Sequence, residues 1–203
     1  FKKGSFYVQD PSTLLPVAML DPQPGERILD LCAAPGGKTT YIAQLIDDDG
    51  EVFASDLDPQ RLQMVTDNCK RMHITSVTPY SAEDLGNYQR NGGDPFDRVL
   101  VDAPCSNTGV IRRRVDLRWR ITPGEIERLG RTQAELLDRA AALVTPGGVV
   151  VYSTCSLEPD ENERIVAAFR ERHHGFAVEQ ERLLFPPKDG VDGAYAARLR
   201  RAD

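Results

Sequence analysis

"VLVDAPCSNTG", residues 99–109, is an apolar run that ends in an acid, Asp102, and opens into a small-residue loop carrying Cys105. Continuous aliphatic residues with no polar alternation suit a strand buried on both faces, as in a parallel sheet covered by helices. Runs of the same kind recur at "RILDLC" (27–32), "EVFASDLD" (51–58), "DRVLVDA" (97–103) and "GGVVVYSTC" (147–155), with a weaker one at "SVTPY" (76–80). Helical patterns separate them over residues 37–46, 59–72, 123–144 and 160–172, and an amphipathic stretch, "PSTLLPVAML" (11–20), precedes everything. Alternating β and α elements imply an α/β fold with a doubly wound sheet. The tail "DGAYAARLRR" (192–201) is expected to add an edge strand. Ligands of such sheets bind outside the carboxyl ends of the strands, where Asp102 and Cys105 fall.

The 203 residues suffice for one domain with a proper core, and 40% hydrophobic with 28% charged residues is ordinary globular composition. No apolar run approaches the ~20 residues of a membrane span, and the start lacks the apolar segment of a signal peptide. The first residue is Phe rather than Met, so a piece of a longer chain is expected. Four cysteines (Cys32, Cys69, Cys105, Cys155) form no C-x-x-C pair, which gives no reason to expect zinc or another metal. Cys69, on a helical pattern, reads as a buried, inert thiol. The net charge of −6 argues against nonspecific nucleic-acid binding by the whole surface, yet "IRRRVDLRWR" (111–120) gathers five arginines and the one tryptophan.

"LDLCAAPGGKTT" (29–40) joins the first strand to its helix. It is neither a P-loop nor G-x-G-x-x-G. It remains a small-residue turn that lets backbone approach a ligand at a helix N-terminus. The second strand ends in Asp56, 19 residues past Gly37, and a carboxylate there can accept hydrogen bonds from both ribose hydroxyls. Turn and acid together suggest a nucleoside-bearing cofactor. Asp84, in "SAEDL", either reaches the base or caps a helix.

Cys105 follows the fourth strand and Cys155, in "YSTCSLEPDENE" (152–163), follows the fifth. A thiolate is a strong nucleophile. Added to carbon 6 of a pyrimidine, it gives carbon 5 enamine character, so that carbon 5 can attack an electrophilic methyl group. An acid at N3 or the amino group of cytosine stabilises the developing charge. Asp102 and the two cysteines carry the functional groups this chemistry needs.

"LDLCAAPGGKT", "DAPCSNTGVIRR" and "YSTCSLEPDENE", preceded by "VQDPST", resemble the motifs of the RsmB/NSUN-type RNA cytosine-5 methyltransferases, in the same order and across nearly the whole chain. The resemblance implies a class I, Rossmann-like methyltransferase domain over residues 1–203, with residues 1–22 as a helix-bearing lead-in and an antiparallel C-terminal edge strand. It implies S-adenosylmethionine as cofactor. The loop Cys32, Ala33, Ala34, Pro35, Gly36, Gly37 and Lys38 would wrap its methionine end, Asp56 its ribose and Asp84 its adenine, with Asp102 between cofactor and target base. It implies Cys155 as nucleophile and Cys105 as the residue that assists release of the adduct. It implies RNA as partner, ribosomal RNA first and transfer RNA second, and a cytoplasmic monomer. The family carries further RNA-binding sequence before this domain, and the present chain has almost none. Cofactor binding is expected to survive that difference, RNA affinity and site selection less so. A scaffold that binds cofactor or RNA without catalysis is the competing class, and it has no need of both thiols.

Arg112, Arg113 and Arg114 follow the Cys105 loop directly and are expected to hold RNA phosphates. Trp119 is expected in the core. Arg61, one turn into the helix after Asp56, either contacts the cofactor or pairs with nearby acids. Lys38 either orients Asp102 or contacts RNA. His73, His173 and His174 show no ligand spacing.

Overall fold

The computed structural model describes residues 1–203. Val99, Leu100 and Val101 sit in β4 (Phe96–Asp102), and their side chains divide between two cores. Val99 and Val101 pack with Leu137, Ala140, Ile165 and Phe169, whereas Leu100 packs with Val17, Leu20 and Ile42. Alternation of side chains between faces, with helices on both, is what an unbroken apolar run requires. On one side lie α5 (Pro123–Leu143) and α6 (Glu163–Arg172); on the other lie α1 (Leu14–Leu20) and α2 (Gly37–Leu45). A third cluster joins α3 (Pro59–Met72) to Ala33, Ala34 and Ala54, and Cys69 is buried in it.

The sheet has seven strands, with β1 (Arg27–Asp30), β2 (Glu51–Asp56), β3 (Val77–Ser81) and β5 (Val144–Thr154) parallel to β4. The order is β3-β2-β1-β4-β5-β7-β6, so the chain reverses direction of travel between β1 and β4, the crevice where doubly wound sheets bind ligands. The tail forms β7 (Ala194–Arg201), antiparallel to β5 as expected, but it is not at the edge. A strand the sequence reading missed, β6 (Phe176–Leu184), pairs antiparallel with β7 and takes the edge. Its pattern is mostly exposed, which leaves little apolar periodicity to detect. Also missed is α4 (Ala82–Arg90), a nine-residue helix with Gly86 in its interior that buries Leu85 alone. No helix is long and apolar enough to cross a membrane.

Candidate active site

Four strand ends, Asp30, Asp56, Asp102 and Thr154, converge above the β1/β4 crevice, and a cleft of about 520 Å³ opens there. A volume of that size suits a nucleoside-sized ligand. Asp56, Asp102, Cys105 and Cys155 all line it. Two of these side chains come from loops 50 residues apart, yet Cys105 Sγ and Cys155 Sγ lie 3.3 Å from each other. Asn107, left-handed at φ 61°, links the pair: its Oδ1 is 3.0 Å from Cys155 Sγ and its Nδ2 donates to the Cys105 carbonyl at 2.6 Å. The hydrogen bond to Cys155, reinforced by burial, pushes the Cys105 thiol well above its ordinary range. Cys105 is therefore held as a protonated thiol.

Asp102 is held from both sides. Lys38 Nζ is 2.6 Å from Oδ2 and Ser153 Oγ donates to Oδ1 at 2.9 Å. Burial works against the Lys38 ammonium, but the Asp102 charge and hydrogen bond overcome it and leave its pKa raised. Lys38 thus orients Asp102, the first of the two roles open to it. Asp102 keeps about a third of its side chain exposed to the cleft, with lone pairs free for a substrate.

Asp56 is 6% exposed, its Oδ2 accepting from Ala34 N at 3.2 Å and its Oδ1 from Asp58 N at 3.1 Å. Each oxygen retains a lone pair, the acceptor pattern that a pair of ribose hydroxyls matches. Arg61 donates to the Ala34 carbonyl at 2.9 Å and stands 3.7 Å from Asp56, so it braces the loop and its acid while lining the cleft. Gly36 adopts φ +103°, a conformation that side chains resist, and lets the loop lie against Val65 of α3. Cys32 lines the same cleft, but burial and the nearby Asp30, Asp102 and Asp56 charges raise its thiol pKa strongly, which keeps it protonated. A nucleoside-bearing cofactor therefore fits the residues present. On the far side of the loop, Ala33, Pro35, Gly37 and Lys38 line a smaller recess of about 230 Å³ against Tyr7 and Gln9.

The family model for 16S rRNA methyltransferase RsmB/F matches residues 17–200. The chain belongs to this family. It is 45% identical to ribosomal RNA small subunit methyltransferase B of Salmonella arizonae over 208 residues, covering 98% of this chain and 48% of that protein. It thus spans about half the length of the curated relatives it matches. The crystal structure of NSun6 from Pyrococcus horikoshii with SFG, an S-adenosylmethionine analogue, superposes with a TM-score of 0.90 at 32% identity, covering 100% of this chain and 55% of that one. A methyltransferase homolog protein from Pyrococcus horikoshii gives a TM-score of 0.85 at 32% identity, covering 99% and 70%. RsmB/NSun methyltransferases are RNA methyltransferases that use S-adenosylmethionine.

Three expectations for residues of this RsmB/F-family chain need correction. Asp84 does not line the cleft; its carboxylate closes a capping box with Ser81 at the start of α4, and Ala82 lines the cleft instead. Trp119 is 84% exposed. It ends a 3-10 helix, Val115–Trp119, whose buried residue is Leu117; two positions on, at three residues per turn, Trp119 falls on the outer side. Arg112 and Arg113 both pair with Asp10 and Asp192, whose side chains are 8% and 3% exposed. These two arginines neutralise buried acids, and of the three only Arg114 lines the cleft. His173 bonds Asp138 and stacks on Phe169, away from the site. Residues missed by the sequence reading include Asn107, which looked like an ordinary turn residue, and Leu57, an exposed apolar side chain at the cleft beside Asp56. Exposure of a leucine next to a ribose-type acid is invisible to hydrophobic periodicity.

Proposed function

We propose that this protein transfers a methyl group from S-adenosylmethionine to carbon 5 of a cytosine in RNA, with ribosomal RNA as the substrate and Cys155 as the nucleophile. The observation that carries this reading is the meeting of two thiols from separate strand ends, 3.3 Å apart, in one cleft with Asp102 and Asp56. A cofactor-binding scaffold needs the Asp56 half of that cleft but not the thiol pair. The rRNA assignment follows from the name of the RsmB/F family and of the Salmonella relative.

When bound, S-adenosylmethionine would supply an electrophilic methyl group on a sulfonium, whose S–CH3 bond breaks on transfer and leaves the sulfur as a neutral thioether. Asp56 would hold its ribose, the 32–38 loop its methionine end, and Leu57 and Ala82 would flank its base. Asp102, oriented by Lys38, would accept from the amino group of the cytosine and hold a proton at N3, which neutralises the negative charge that thiolate addition puts on the ring. The Cys155 thiolate, having released its proton to solvent, forms a bond to carbon 6, and the displaced electron pair makes carbon 5 the nucleophile. After carbon 5 accepts the methyl group, its proton leaves to solvent. That electron pair restores the 5,6 double bond and expels the Cys155 sulfur as thiolate. The Cys105 S–H, held protonated beside it, receives the departing thiolate with a hydrogen bond.

Covalent trapping tests the assignment. Cys105→Ala incubated with S-adenosylmethionine and cytosine-containing ribosomal RNA is expected to accumulate a protein–RNA adduct that survives a denaturing gel, and Cys155→Ala to give none. An adduct with Cys155→Ala alone would reverse the two roles.

A further inference from the structure

Glu161 is fully buried and has no cation within ion-pair distance. Its carboxylate instead collects four donors: Ser106 N at 2.9 Å and Gln133 Nε2 at 3.0 Å on Oε1, Ser156 Oγ at 2.6 Å and the Ser106 hydroxyl on Oε2. Its backbone carbonyl accepts the Tyr152 hydroxyl at 2.5 Å. A buried acid without a counter-ion is costly unless every lone pair is used. What distinguishes this one is where its donors stand. Ser106 follows Cys105 and Ser156 follows Cys155, and their hydroxyls are 3.1 Å apart.

We propose that Glu161 is the positioning residue of the thiol pair: one buried carboxylate that grips the residue after each cysteine and so sets the spacing and hydrogen bond between the two sulfurs. The adjoining Asn162 secures the same loop from below, accepting from Thr154 Oγ1 at 2.6 Å and donating to the Ser156 carbonyl at 3.0 Å. The proposal rests on the reading above only for what the thiols do. Misplacement of a reacting group by about 1 Å costs on the order of a hundredfold in rate, so two loops that must present sulfurs to one base need a common anchor. Glu161 also acts through its charge, which opposes ionisation of Cys105. Lys38, Asp102 and Tyr152 also face the pair, and Cys32, Asp56, Asp58, Arg61, Arg114 and Arg139 line the same cleft; the substitution below leaves each of them in place.

Iodoacetamide alkylation of Cys105 and Cys155 against pH, read by peptide mass spectrometry without RNA or cofactor, measures the pair directly. In Glu161→Gln the Cys105 midpoint is expected to fall, because a like charge has been removed. Glu161→Asp, which keeps the charge, should return toward the wild-type profile. Single-turnover methylation by Glu161→Gln at saturating RNA and S-adenosylmethionine should fall at least about tenfold while cofactor affinity stays within about twofold, a loss in kcat rather than KM. Ser156→Ala removes one grip without altering charge. It should slow turnover with no shift of profile, and it carries the test if Glu161→Gln fails to fold. An alkylation profile and turnover unchanged in Glu161→Gln would overturn the proposal. A shifted profile in a protein whose wild type leaves cytosine unmodified would sustain the positioning role and sink the methyl-transfer reading instead.

Discussion

Asp30 ends β1 with its carboxyl fully buried, one oxygen accepting from Thr39 Oγ1 at 2.7 Å and the other without a partner. Burial raises its pKa to about 7, the Asp102 charge adding to the effect and Thr39 and Lys38 opposing it. The unfolded chain releases this proton near pH 4, so between about pH 4 and pH 7 this carboxyl stays protonated in the folded chain and not in the unfolded one. The contribution of Asp30 to folding stability therefore falls with rising pH across that window and its loss is complete above it, amounting to on the order of 4 kcal/mol. Asp30→Asn keeps an acceptor for Thr39 and has no charge to bury, although its unpartnered amide subtracts a constant amount at every pH. Urea unfolding at pH 4.5 and pH 8 should show the variant gaining on the wild type as pH rises. A difference that is the same at both would mean the carboxyl does not titrate in the folded state. At this scale the sequence placed Asp56, Asp102, Cys105 and Cys155 at one edge of the sheet, and they line one cleft there, because strand ends mark the ligand edge. It left Lys38 undecided because its partner is 64 residues away. It misplaced Trp119 because aromatic size says nothing about which side of a short 3-10 helix a residue falls on.

The loops after β4 and β5 are locked together by backbone as well as by Glu161. Gly109 N donates to the Cys155 carbonyl at 2.9 Å, and Gly193 N, just before β7, donates to the Gly109 carbonyl at 2.9 Å. A Cβ on Gly109 would stand 2.6 Å from the Gly193 oxygen and 2.7 Å from the Cys155 oxygen, both backbone atoms that cannot step aside cheaply. Gly109→Ala is thus expected to push the Cys155 loop away from Cys105, costing about 1–3 kcal/mol of stability and at least about tenfold in methylation rate. Calorimetric titration with S-adenosylmethionine should show affinity unchanged, since the Asp56 side of the cleft is not touched. Weakened cofactor binding of the same size would mean the distortion spreads through the sheet. Elements buried on two faces, such as β1, β4 and β5, were legible because their composition alone marks them. The start of α3 was legible too, with Asp58 accepting from Gln60 N and Pro59 opening the helix. The polar helix α4 and the exposed strand β6 were not, because what holds them is pairing and packing with distant segments. The placement of β7 inside the sheet followed from β6 and was lost with it.

At the scale of the molecule, the ion-pair cluster around Asp10 closes the lead-in onto the loop after β4 and the segment before β7. Asp10 precedes α1, Asp192 precedes β7, and Arg112 and Arg113 follow the Cys105 loop; each arginine touches both acids. Burial opposes the Asp10 charge, but hydrogen bonds from Ser12 and Asp192 and the Arg113 guanidinium outweigh it and hold its pKa below the usual carboxylate range. Because either arginine can serve both acids, Arg112→Ala or Arg113→Ala alone should cost little, the remaining guanidinium closing over the gap. The double variant leaves two carboxylates facing each other with no guanidinium and should cost well beyond the sum of the single losses. Asp10 is ionised in the folded wild type down to lower pH than in the unfolded chain, so its contribution is present above about pH 4 and lost below it. The deficit of the double variant should therefore shrink as pH falls through 4, measured by urea unfolding at pH 7 and pH 3. If these arginines instead served RNA phosphates, the double variant would fold as stably as the wild type. Its RNA affinity would then fall with a shallower salt dependence, on the order of one unit of slope for each contact removed.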